Sequence, residues 1–109
     1  MTITLPQPIA DYYAADRDKD SDATVQCFAE DATIIDERQT FRGRESIRQW
    51  KVNASARFDY SVDPYALTED GKTVRVTAHV AGNFPGSPVD LRYVFELDGG
   101  LIQRLEIVP

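Results

Sequence analysis

The spacing of apolar positions changes once along this chain, near Arg57. Upstream they recur every three or four residues, the period of a helix face. Downstream they recur every second residue, the period of a strand. Ile9, Tyr12, Tyr13 and Asp16 share one helical face, and Pro8 suits the first turn, where its missing N–H costs nothing. This helix should end near Asp18. Asp20 is a good N-cap for a second, short helix, with Asp22 in its first turn to complement the dipole. Val25, Phe28 and Ala29 form its apolar face, and the helix should end in Phe28-Ala29-Glu30-Asp31-Ala32. Thr33, Ile34 and Ile35 read as a β-branched strand that stops at Asp36. Arg38 to Arg42 read as a loop or strand return. Gly43 then breaks the chain, and Ile47, Trp50 and Ala54 share a face of a third helix.

Beyond Arg57, Phe58, Tyr60 and Val62 alternate with polar residues, and Asp70-Gly71 marks a hairpin. Val74, Val76, Ala78 and Val80 form one face of the next strand, with His79 on the other. Gly82 to Pro88 is a turn region. Val89, Leu91, Tyr93, Phe95 and Leu97 alternate up to a second turn at Asp98-Gly99-Gly100, and Leu105 and Ile107 continue one face of the last strand. Strands joined by tight turns make an antiparallel meander. The pattern predicts an α+β fold over residues 1–109 as a single domain. Three N-terminal helices pack on a strongly curved antiparallel sheet and form a cone, a natural place for a ligand pocket.

With 109 residues the chain can bury one core without staples. Its net charge of −6 argues against nucleic acid, because it gains nothing from counterion release. An acidic surface also disfavours anionic membranes, and no run of about 18 apolar residues is present. The first residues, MTITLPQPIA, lack the basic start of a secretory leader, and the lone Cys27 allows no internal disulfide. Both fit a cytoplasmic protein.

One His and one Cys cannot build a ligand cluster, so no metal is expected. Asp16, Asp18, Asp20 and Asp22 alternate as in a calcium loop, but Ser21 and Cys27 stand where that loop needs Gly and Glu. These aspartates read as a solvated, helix-capping turn. Arg44, Arg48 and Lys51 form a basic stripe that reads as a solvated helix face. Cys27 reads as a small buried hydrophobe inside a helix, and His79 as a surface or interface residue. No cofactor motif is present. Asp36 remains. A carboxylate at the mouth of an apolar pocket can trade protons near neutral pH, because desolvation favours its acid form. It can equally be a solvent-facing residue that opens the Asp-Glu-Arg loop.

The stretch from Ala10 to Trp50 resembles the front half of the nuclear transport factor 2-like superfamily. That group includes ketosteroid isomerases and SnoaL-type polyketide cyclases. Tyr12 through Asp36 can be laid on the isomerase pattern without a gap, with Phe28, Asp31 and Ala32 matching, and Gly43, Ile47 and Trp50 match its third helix. The resemblance implies Asp36 as the proton-transfer base and Tyr12 as an oxyanion donor. It also implies dimers formed through the outer sheet surface. The isomerases use a protonated aspartic acid on a later strand as a second donor. By strand register that position falls on Tyr93, while Asp90 lies on the opposite alternation.

Two functions fit. In one, the chain is a small-molecule-binding domain with an apolar pocket. In the other, it is a cofactor-independent isomerase or cyclase that moves a proton next to a carbonyl. In the enzyme, Tyr13, Phe28, Trp50, Tyr93, Phe95 and Ile107 line the cavity around Asp36 and Tyr12; in the noncatalytic domain, which binds a ligand or serves as a dimerisation module, the same residues are core or pocket wall and Asp36 is a rim residue. The partner is a small apolar molecule. A homodimer is expected, because Ala81, Val94, Ile102 and Val108 would otherwise stand exposed on the outer sheet face.

Overall fold

The computed structural model describes residues 3–109, so Met1 and Thr2 of the stretch read for a leader lie outside the described residues. Helix α1 spans Gln7–Arg17, α2 Ser21–Gln26 and α3 Arg44–Arg57. Strand β1 spans Phe28–Asp36, β2 Gln39–Arg42, β3 Tyr60–Asp70, β4 Thr73–Gly82, β5 Val89–Asp98 and β6 Leu101–Val108. The strands form one sheet in the order β2-β1-β6-β5-β4-β3, with the helices packed on it. The fold is α+β, as the change of period predicts.

Most pairs are antiparallel, but β1 runs parallel to β6, with Ile34 opposite Leu105 and Asp36 opposite Ile107. The sheet is therefore mixed rather than a pure antiparallel meander. Tight turns dictate the direction only of strands they join. β1 and β6 are instead joined by most of the chain.

The second helix is also shorter than its apolar spacing suggests. Asp20 caps it through a bond from the Ala23 N–H, and it ends at Gln26. Cys27 is its C-cap rather than an interior residue, and Phe28 already belongs to β1. The extended segment Ala29–Ala32 departs from the β6 register, and Arg44 donates to the Phe28 carbonyl from Nε at 3.1 Å and from Nη2 at 2.8 Å. The side chain of Arg44 thus satisfies a carbonyl that points away from β6 and precedes the pairing with β2.

Two bulges slip the alternation. Tyr65 is the extra residue between Pro64 and Ala66, so Val62 and Leu67 both face the helices. Gln103 is the extra residue of β6 between Arg104 and Ile102. As a result Ile102 turns inward with Leu105 and is fully buried, not exposed on the outer face. Ala81, Val94 and Val108 remain half-buried on that outer face.

Inside the cone lies an aromatic column. The Tyr12 ring centroid is 5.1 Å from Tyr13, 5.8 Å from Phe28 and 5.7 Å from Phe95, all edge-on. Such geometry suits ring quadrupoles and adds to the burial term. Gly82 is needed at its place: a Cβ there would overlap the Asp59 carbonyl oxygen and stand 2.7 Å from Tyr60 Cα. The missing side chain lets the start of β3 lie close and sets where Tyr60 enters the cone.

Candidate functional site

Asp36 stands at the end of β1, half-buried on the inner side. Register places it in a row across three strands. Asp36 pairs with Ile107, and Ile107 pairs on its other side with Tyr93. Above the row lies Trp50, from the inward face of α3. Its indole Nε1–H donates to Asp36 Oδ2 at 3.0 Å. Trp50 is 7% exposed and packs on Phe41 at 6.4 Å between ring centroids. Among the described residues Asp36 forms no ion pair.

Deeper in the cone is a polar cluster of residues whose charges predict a place in solvent. Lys51 is ion-paired to Asp16, with side-chain exposures of 2% and 7%. Tyr60 donates to the same Asp16 oxygen at 3.0 Å. The Lys51 ammonium also lies 4.5 Å from the Trp50 ring centroid and 5.3 Å from that of Tyr12. The solvated stripe is thus wrong for Lys51, and the solvated turn is wrong for Asp16. Each occupies the buried stripe of its own helix, beside Ile47 and Trp50 on α3 and beside Tyr12 and Tyr13 on α1. Arg48, by contrast, stays partly exposed and pairs with the exposed Asp22 on α2. Helical spacing from Ile9 and Ile47 puts Asp16 and Lys51 on the apolar stripes of their own helices, but only the tertiary fold brings the two together. A charge on such a stripe is tolerated when its counterion is on the other.

Four tyrosines surround this cluster, and burial raises each of them above the ordinary phenol range. Tyr12 and Tyr93 also feel the Asp16 carboxylate, as does Tyr60, which bonds it. Asp36 adds a smaller contribution to the rise of Tyr60 and Tyr93. At Tyr13 burial is followed by Tyr93 and then Asp16, and its hydroxyl is buried without a hydrogen-bond partner among the described residues. All four remain neutral phenols that can donate a hydrogen bond at neutral pH.

The structure therefore brings together Asp36, Trp50, Tyr93 and Ile107 of the residues singled out above. Tyr12, Tyr13, Phe28 and Phe95 form the packed column behind them. Two open concavities lie elsewhere. One of about 270 Å³ on the outer sheet face is lined by Arg75, Arg92 and Val94 among others. One of about 560 Å³ runs between α1, α2 and the β5–β6 turn. Neither is bordered by Asp36 or Tyr12. On the outer face His79 Nδ1 meets Asp90 Oδ1 at 2.9 Å, and Tyr65 donates to Asp90 Oδ2 at 2.8 Å. No helix among the described residues is long and apolar enough to cross a membrane.

Among solved structures, this chain is similar to a putative polyketide cyclase from Sinorhizobium meliloti. The two are 41% identical over 95% of both chains, with a TM-score of 0.92. A protein with a ketosteroid isomerase-like fold from Catenulispora acidiphila, solved with trimethylamine, is 24% identical over 97% of this chain and 87% of its own, with a TM-score of 0.86. SalBIII, an epoxide hydrolase/cyclase-like enzyme in pyran ring formation in the polyether salinomycin, is 25% identical over 93% of this chain and 86% of its own, with a TM-score of 0.80. None of the curated proteins matches. The SnoaL-like domain itself matches residues 9–105, nearly the whole length of the helices and the sheet, and the chain belongs to that family.

Proposed function

We propose that this chain binds a small, mostly apolar carbonyl compound beside the end of β1, where Asp36 moves a proton to and from the adjacent carbon. One observation carries the reading. Asp36 is a half-buried carboxylate on an apolar wall, held by a neutral indole N–H and, among the described residues, by no cation. Such a group keeps its charge available for a substrate proton instead of spending it on an ion pair. In the reaction the carboxylate takes the C–H proton, and the electron pair left behind delocalises onto the carbonyl oxygen. Tyr93, in the same row, and Tyr12 behind it are the phenols proposed to hold that oxygen. The protonated Asp36 then returns the proton to a different carbon for isomerisation, or the enolate carbon attacks a second carbonyl, whose C=O π bond opens to an alkoxide that takes the proton from Asp36, for ring closure. Trp50, Phe95, Phe28, Tyr13 and Ile107 would form the walls. The unpartnered Tyr13 hydroxyl supports a further polar contact to the ligand.

The likeness to a putative polyketide cyclase and to a cyclase-like enzyme supports this chemistry. The dense ring packing behind Asp36 favours a second reading, in which the domain binds such a ligand without turning it over. Deuterium exchange of 2-tetralone, an apolar ketone with acidic α-protons, separates the two. With Asp36 as base, Asp36→Asn should slow enzyme-catalysed exchange by about 100-fold or more while binding changes little. If both forms bind the ketone and neither exchanges its protons, the binding-only reading holds. We also propose a homodimer through the outer sheet face, where Ala81, Val94 and Val108 lie among charges of both signs.

A further inference from the structure

We infer that Lys51 is a positioning residue for Asp36 and acts through the ring of Trp50. The inference rests on the base assignment proposed above, but its test is independent of activity. Trp50 is held from two sides. Its edge donates to Asp36 at 3.0 Å, and its face receives the Lys51 ammonium at 4.5 Å from the ring centroid. Both contacts exist because Trp50 and Lys51 stand three and four residues beyond Ile47, on the inward stripe of α3.

An indole packed only by apolar groups has little reason to prefer one ring orientation over its flipped alternative. The flipped ring would carry its N–H away from Asp36. The carboxylate at the N–H edge selects against the flipped ring, and the cation above the π face holds the ring plane in which that N–H reaches the carboxylate. The cation is itself fixed. Asp16 on α1 pairs with Lys51, and Tyr60 on β3 donates to Asp16 at 3.0 Å. A line of contacts thus runs Tyr60, Asp16, Lys51, Trp50, Asp36, and joins α1, α3 and β3 to the end of β1. A buried ion pair adds little to stability compared with an apolar pair of the same shape. Orienting the indole is a role that the apolar pair would not supply.

Trp50 is the only tryptophan of the chain, so a single indole N–H resonance reports its hydrogen bond. The test uses ¹H–¹⁵N spectra of the full chain. Asp36→Ala marks the resonance of the unbonded indole. Asp16→Asn combined with Lys51→Met removes both charges while nearly preserving volume, and Asn still accepts from Tyr60. In that double variant the indole resonance should move at least about halfway to the Asp36→Ala position. Its exchange with solvent should quicken by about tenfold or more, with the backbone amides still dispersed. A resonance and an exchange rate that match wild type overturn the inference. If the double variant gives no dispersed spectrum, Tyr60→Phe decides. Freeing Asp16 from its second anchor should displace the same resonance in the same direction, and a stationary resonance overturns the inference. If ketone exchange survives Asp36→Asn while the indole responds as stated, the base assignment fails and the positioning role stands. If ketone exchange is lost in Asp36→Asn while the indole stays at its wild-type position in the charge-removed variants, the base assignment stands and the positioning role fails.

Discussion

Removing the Lys51 charge while leaving Asp16 in place should strongly destabilise the protein. Lys51→Met keeps the length and most of the volume of the side chain. It leaves a carboxylate that is 7% exposed, with Tyr60 as its remaining hydrogen-bond donor. Breaking a buried pair in this way costs about 3–5 kcal/mol, mostly the penalty of an uncompensated buried charge. Loss of the cation–π contacts to Trp50 and Tyr12 adds to that cost. A domain of this size has a total stability of about 5–15 kcal/mol. With an m value near 2 kcal/mol/M in urea, the midpoint should fall by about 2 M. Removing both charges, with Asp16→Asn added to Lys51→Met, should return the midpoint to within about 0.5 M of wild type. Urea titrations of the four proteins give the coupling energy, expected above about 2 kcal/mol. The reasoning fails if Lys51→Met alone costs under about 1 kcal/mol, or if the double variant loses the sum of the two single changes.

Other expectations follow from single contacts. Tyr60→Phe removes a hydrogen bond to a buried charge and should cost about 1.5–3 kcal/mol by the same titrations. Gly82→Ala drives a methyl into the Asp59 carbonyl, so β3 must shift; thermal melts should show a loss of about 1–3 kcal/mol and the Tyr60 resonances should move. Burial, aided by Asp11, pushes the Cys27 thiol from 9.0 up to about 11. Its thiolate fraction at pH 8 is then about 100-fold below that of the unfolded chain, and iodoacetamide labelling should be slower in proportion. Because folding raises this group, its contribution to stability is complete below about pH 9 and is lost as pH rises through about 11.

What could be read in the chain alone was local. The change from helical to alternating spacing near Arg57 located three helices and four long strands, because side-chain direction repeats with backbone geometry. Asp20, Gly43, Asp70-Gly71 and Asp98-Gly99-Gly100 marked the caps and turns, because those sites demand particular backbone angles or acceptors. The place of Asp36 at a strand end, and the inward faces of Tyr12 and Trp50, could be read in the same way. Tertiary structure decided the rest. Only pairing across the whole chain could set β1 parallel to β6 and pull Phe28 out of the apolar spacing of α2. Only the bulges at Tyr65 and Gln103 could turn Leu67 and Ile102 inward, since one extra residue flips every side chain beyond it. Asp16 and Lys51 looked solvated because each charge was weighed within its own helix. Their burial depends on two helices bringing opposite charges to one place, and spacing within either helix carries no record of the other.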